Sequence, residues 1–185
     1  MTRPVSLIAS VGAVLSSGLL AAVPASAAKP AAATIIALPL QPVVPETQRT
    51  CAAKTASGLG YSELGPGTGA KPGATDYVLV NYIGYLAVTG EVFDQGMSTP
   101  MTVDGTIPGF TEALQMIPKG GIYRFCIPSA LAYGDKAAGP IPPNSDLDFQ
   151  VELLDSRTVA EVEAMRAQAA AQKAAEEGQS ESAGH

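Results

Sequence analysis

The side chains able to carry out acid–base, nucleophilic or metal chemistry are few in this 185-residue chain. The single histidine is His185, at the last position, so neither a His-based triad nor a multi-His metal site can be assembled. Cys51 and Cys126 stand 75 positions apart, a spacing that excludes a zinc ribbon and a CxxC redox site. Gly65-Pro66-Gly67-Thr68-Gly69 is glycine-rich but lacks the Gly-Lys-Ser/Thr ending of a phosphate loop, and it reads as a turn. Eleven basic against seventeen acidic residues give a formal charge of -6, the wrong sign for a surface that tracks nucleic-acid phosphates. No metal, no cofactor and no nucleic-acid partner are therefore expected. Any catalysis must come from binding and environment, supplied by aromatic and aliphatic side chains.

Such side chains need a scaffold, and the chain is apolar enough to build one. With 46% apolar residues it has the material for one ordinary domain, while 19 glycines and 15 prolines predict frequent turns and argue against a long helical bundle. Residues 1–27 read as a secretory signal peptide. Arg3 is followed by an apolar run over 5–23 and then by Pro24-Ala25-Ser26-Ala27, whose small residues suit a signal peptidase. The run is about long enough to span a bilayer, but Pro24 and the small-residue site favour cleavage over a stable membrane anchor. Residues 28–54 mix Ala with Pro30, Pro39, Pro42 and Pro45 and read as an extended linker. Residues 158–185 read as an Ala-rich exposed helix running into a disordered tail from Gly178 onward. The tail has no heptad of large apolar residues, so a monomer is expected.

The remaining stretch, 55–157, has short and clear periods. Val78, Val80 and Tyr82 fall on one face of a strand, with Leu79, Asn81 and Ile83 on the other. Thr89-Gly90 makes a turn into a returning strand at Val92-Phe93. Tyr123, Phe125 and Ile127 alternate in a third strand. In the last strand Leu147, Phe149, Val151 and Leu153 alternate with Asp148, Gln150 and Glu152. Phe110, Ala113, Leu114 and Ile117 lie at i, i+3, i+4 and i+7, giving one short amphipathic helix opened by Pro108-Gly109. The fold class is α+β, a mostly antiparallel sheet with one helix on its inner face.

Three segments in register carry a resemblance: 80–86 with 90–94 (VNYIGYL and GEVFD), 107–114 (IPGFTEAL), and Ala132-Tyr133-Gly134 leading to Ile141-Pro142-Pro143-Asn144 and 147–154. Together they resemble the FKBP-type peptidyl-prolyl cis-trans isomerases over about residues 57–156. The resemblance implies a five-stranded antiparallel sheet curled around one short helix, with a pocket between them. It implies Tyr82, Phe93, Asp94, Tyr133 and Phe149 as the catalytic set and Met101, Thr106, Ile107, Phe110 and Ile141 as further pocket residues. Thr106 and Ile107 would act through their backbone. Within that set Tyr133 would hold the substrate carbonyl through its hydroxyl, Asp94 would fix neighbouring side chains, and Phe93 and Phe149 would press on the proline ring. The sequence departs from the family at Phe110, where Trp is usual, at Met101, where an aromatic is common, and in a slightly short loop over 135–140.

The implied partners are proline-containing segments of folding proteins, and macrolides such as tacrolimus and rapamycin. The implied setting is an exported one, periplasmic or secreted. A rival reading keeps the same pocket but makes it a holdase that grips apolar peptides with little turnover. Two outcomes stay open for Cys51 and Cys126. In the family topology the strand after Cys51 lies beside the one bearing Cys126, which would permit a disulfide in an oxidising compartment; the alternative is two free thiols.

Overall fold

The computed structural model describes residues 35–36 and 43–182. Residues 1–27, read as a signal peptide, lie outside the described residues, as do the last three of the tail. The alternating stretches form a single antiparallel sheet of β1 (Ala53–Lys54), β2 (Gly60–Gly65), β3 (Tyr77–Leu86), β4 (Val92–Thr102), β5 (Ile122–Ile127) and β6 (Leu147–Arg157). Their order across the sheet is β1-β2-β5-β6-β3-β4. The class is the expected one, with six strands in place of five. The extra one is the two-residue edge strand β1, paired to β2 through Ala53–Tyr61 and Lys54–Gly60. A strand that short has no period to read in a sequence.

The helix α1 (Pro108–Met116) opens with Pro at its first position, where the missing N–H costs nothing and the fixed φ suits the helix. It buries Phe110, Ala113 and Leu114 in the main core, with Val78, Val80, Tyr123, Phe125, Phe149 and Val151 of the sheet. This defines the inner face. The helix α2 (Val159–Ser182) is solvent-facing and continues past Gly178, the point at which its sequence predicts an end. It begins on a capping box: the Glu161 N–H donates to Thr158 Oγ1 at 3.2 Å, and the Thr158 N–H donates to Glu161 Oε2 at 2.7 Å. Arg166 lays its guanidinium over the ring of Tyr77, 5.9 Å from the centroid. Among the described residues no helix is long and apolar enough to cross a membrane.

The outer face of the sheet is also covered, which alternation does not anticipate. Ile83 and Tyr85 point away from α1 yet are fully buried, in a second cluster with Ile36 and Val44. Both covering residues come from the stretch read as a linker. The Gln150 side chain clamps Ile36 at both ends of its backbone: the Ile36 N–H donates to Oε1 at 2.7 Å, and Nε2 donates to the Ile36 carbonyl at 2.9 Å. The Val44 N–H donates to the Gly90 carbonyl at 2.8 Å, Tyr85 Oη donates to the Gln48 carbonyl at 2.8 Å, and Arg49 Nη1 donates to the Ala87 carbonyl at 3.2 Å. A disulfide joins Cys51 to Cys126 of β5 and ties this strap to the sheet. Gly60, the register partner of Cys126, must be small, since a Cβ there would lie 3.0 Å from Cys126 Cβ and 3.1 Å from Cys51 Cβ.

Under the strap lie Arg124 and Asp148, each 1% exposed. Burial pushes the Asp148 carboxyl up to about 7, against the pull of Arg124 and Arg49. In the unfolded chain this carboxyl titrates near its ordinary value of about 3.9. Between those values the folded state holds the extra proton, so this group's contribution to stability is greatest in acid. It is lost as pH rises to about 7 and is constant above that. From pH 5 to 7 the wild type is therefore expected to lose up to roughly 3 kcal/mol of unfolding free energy relative to Asp148→Asn. Urea melts of both proteins at several pH values measure the difference, and parallel pH dependences would refute the assignment.

Candidate active site

Between α1 and the inner face lies a pocket of about 430 Å³ lined by Tyr82, Asp94, Met101, Gly105, Thr106, Ile107, Phe110, Tyr133 and Phe149. Each comes from an element that aims it there. Tyr82 on β3 and Phe149 on β6 take the inward positions of their strands, and Phe110 projects from the first turn of α1. The Phe110 and Phe149 rings meet at 4.8 Å between centroids, and Tyr82 meets Phe110 edge-on at 6.5 Å. The floor is thus an aromatic cluster whose one polar side-chain atom is the Tyr82 hydroxyl.

Phe93 and Asp94 are adjacent in β4 and in a regular strand would point to opposite faces. Here the register with β3 shifts between Gly84–Asp94 and Tyr85–Val92, leaving Phe93 as the extra residue of a bulge. Both side chains consequently reach the inner side. Asp94 Oδ2 accepts a hydrogen bond from Tyr82 Oη at 2.8 Å at the pocket edge. Burial, with the Asp94 carboxylate adding to it, pushes the Tyr82 phenol up to about 12, so it stays protonated and serves as the donor near neutral pH. Phe93 does not line the pocket; it backs it, meeting Phe149 edge-on at 5.5 Å. Gly84 makes this pair possible, because a Cβ there would lie 2.6 Å from Phe149 Cε1 and 2.8 Å from Phe93 Cε2.

Thr106 and Ile107 enter α1 from a short turn, Val103–Gly105, which forms one wall. Two hydroxyls hold that wall: Thr111 Oγ1 and Thr106 Oγ1 lie 3.0 Å apart, and each lies within 3.1 Å of the Val103 carbonyl. Two protons serve these three contacts, so one hydroxyl donates to the other while the carbonyl terminates the chain. Tyr133 is 41% exposed at the rim, after the turn Ser129–Leu131. Its neighbour Gly134 has φ +61 and accepts the Asn144 N–H at 2.7 Å, which closes the intervening loop. Ile141 is buried in the main core and supports that loop from beneath. Eight of the ten residues singled out from the sequence thus line one pocket, with Phe93 and Ile141 behind it. Gly105 and the supporting Gly84 and Thr111 carry no sequence signal of their own, since a small residue or a lone hydroxyl acquires meaning from what surrounds it. Among the described residues no group of three or more His, Cys, Asp or Glu side chains is placed to hold a metal.

The site defines a class of domain in which an aromatic cleft lies between an antiparallel sheet and a short helix, and comparison with known proteins identifies which one. Residues 68–154 match the family described as FKBP-type peptidyl-prolyl cis-trans isomerase. The chain is 47% identical over 104 residues to the isomerase FkpA of Aeromonas hydrophila, a match covering 54% of this chain and 38% of that protein. Among solved structures, a peptidyl-prolyl cis-trans isomerase from Pseudomonas syringae superposes with a TM-score of 0.55 at 41% identity, covering 57% of this chain and 80% of that one. FkpA from Escherichia coli gives a TM-score of 0.55 at 43% identity, covering 57% and 51%. The chain belongs to the FKBP-type peptidyl-prolyl cis-trans isomerase family. It spans about half or less of the length of the curated relatives it matches.

Proposed function

We propose that this protein accelerates cis–trans rotation about X-Pro bonds in folding polypeptides. The observation that carries the reading is the convergence of Tyr82, Asp94, Phe110, Tyr133 and Phe149 on one apolar pocket. Rotation must break amide resonance, and the barrier of about 18–20 kcal/mol makes the unaided step take tens to hundreds of seconds. The planar amide is charge-separated between N and O and the twisted one is less so. A largely apolar aromatic cleft from which a bound peptide displaces water therefore disfavours the ground state more than the transition state. Each ~1.4 kcal/mol of such difference is a tenfold gain, and no proton transfer is needed. Phe110 and Phe149 seat the proline ring, Tyr133 at the rim donates to the substrate carbonyl, and the Ile107 backbone orients the peptide. Asp94 holds Tyr82 in place.

The test is refolding of a protein whose slow phase is limited by proline isomerisation. Catalytic amounts of this chain are expected to speed that phase. A holdase would bind the unfolded chain and leave the phase unchanged. Tyr133→Phe is expected to lower kcat/KM by roughly three- to tenfold, the worth of one hydrogen bond, because the ring remains. A loss as large as that of a ring deletion would show that the hydroxyl does more than hold the carbonyl.

The same pocket is the expected site for macrolides such as tacrolimus and rapamycin. Phe110 offers them a smaller floor than indole, and Met101 offers a softer wall. Export to a periplasm or beyond is part of the reading, supported by the Ala25-Ser26-Ala27 motif and by a disulfide, which persists in oxidising compartments. The proposed working form is a monomer whose isomerase domain takes in residues 55–157 together with the strap that packs on their outer face, ahead of the Ala-rich helix.

A further inference from the structure

On the outer face one row of residues crosses four strands: Gly60 of β2, Cys126 of β5, Asp148 of β6 and Tyr85 of β3 are successive register partners. Directly opposed residues of an antiparallel pair share a face, with Cβ atoms about 5 Å apart. The side chains of Asp148 and Cys126 are therefore nearest neighbours across the β5–β6 pair. Together they line a cavity of about 110 Å³ with Lys54 and Asp146, and both cysteines are only half-buried. Asp148 Oδ2 has no hydrogen-bond partner among the described residues. A buried carboxyl oxygen left unsatisfied is costly, and its place in the same cavity as a cysteine that gains or loses a proton on redox change gives it a use.

We propose that the Cys51–Cys126 bond is a thiol–disulfide exchange site for external dithiols, with the Asp148 carboxyl as its proton donor and acceptor. In the reducing direction one thiolate of the dithiol attacks Cys51 Sγ. A bond forms between the entering sulfur and Cys51, and the Cys51–Cys126 bond breaks. Its electron pair leaves on Cys126 Sγ, which takes the Asp148 proton. The second sulfur of the dithiol then displaces Cys51, which is protonated from solvent, and Asp148 regains its proton from solvent. The protein disulfide is reduced by two electrons and the dithiol is oxidised to a disulfide. In the reverse direction Asp148 removes the Cys126 proton as the bond reforms.

Burial keeps the carboxyl protonated to about pH 7, and the groups facing it are Arg124 of β5, Arg49 of the strap, Tyr85 of β3, Asp146 beside it and Lys54 across the cavity. Opening the bond severs the covalent tie of the strap, which is then held by its noncovalent contacts, those of Ile36, Val44, Gln48 and Arg49 and the β1–β2 pairing among them. The site lies on the face opposite the pocket and does not depend on the isomerase reading.

The experiment is reduction of the oxidised full chain by excess dithiothreitol between pH 5.5 and 8, with free thiols counted over time. An unassisted disulfide follows the reagent's thiolate, about tenfold per pH unit below the thiol pKa. Wild type is expected to react about tenfold faster than Asp148→Asn at pH 6. Its profile is expected to flatten above pH 7 as the proton is lost, while the Asn variant keeps the full slope. Superimposable profiles overturn the proposal. So does a wild-type profile that runs straight through pH 7, a measurement that holds even if the variant does not fold.

Discussion

Phe149→Ala is expected to lower kcat/KM on X-Pro peptides by more than tenfold, the largest loss of any single pocket substitution. The ring is the shared wall of the site, 4.8 Å from Phe110 and 5.5 Å from Phe93 between centroids, and its removal opens the floor to water. A loss of roughly 1.4 kcal/mol of transition-state preference already gives tenfold, and a wet cleft no longer disfavours the planar amide. Phe149 is only 8% exposed, so the same change costs about 3–5 kcal/mol of stability. Activity must therefore be measured where circular dichroism shows the variant folded. Phe149→Leu separates the effects, since it keeps most of the volume and loses the flat ring; its kcat/KM is expected to lie between wild type and Ala. Full activity in folded Phe149→Ala protein would show that catalysis happens elsewhere. Phe93→Ala is expected to act in the same direction and more weakly, through collapse of the wall it supports.

Replacing both Cys51 and Cys126 by Ala is expected to lower the unfolding free energy by about 4 kcal/mol. The bond joins residues 75 apart, and closing so long a loop removes much of the freedom of the unfolded chain. It also fixes the strap, which brings Ile36 and Val44 over Ile83 and Tyr85. Full burial of such side chains is worth about 1.5–3 kcal/mol each, so a strap that loosens adds to the loss. Urea unfolding of the variant against wild type measures the sum. A change under 1 kcal/mol would mean that the strap is held by its noncovalent contacts and that the unfolded chain gains little freedom.

How much of this was legible in the sequence depends on whether an element is built by local or by distant contacts. The inward set Leu147, Phe149, Val151 and Leu153 and the stripe Phe110, Ala113, Leu114 were readable because period 2 and period 3.6 are properties of a single segment. Those periods determined the α+β class. The absence of any histidine before position 185 likewise excluded His-based acid–base chemistry from the site. The resemblance carried by three separated motifs pointed to the residues that meet in the pocket.

Tertiary structure decided the rest. Phe93 and Asp94 point the same way because β4 slips by one residue against β3, and a slip between strands leaves no mark on either strand alone. The pairing of the two cysteines remained open until Gly60 and Cys126 were in register, with Cys51 passing over the gap that the glycine leaves. The outer face, which carries Ile83, Tyr85, Asp148 and Gln150, is buried because a Pro- and Ala-rich stretch with no period of its own folds back over it. Local propensity describes how a segment bends, whereas burial depends on which other segment arrives. Here the arriving segment is held by a Gln150 clamp and a disulfide whose partners lie 114 and 75 residues away.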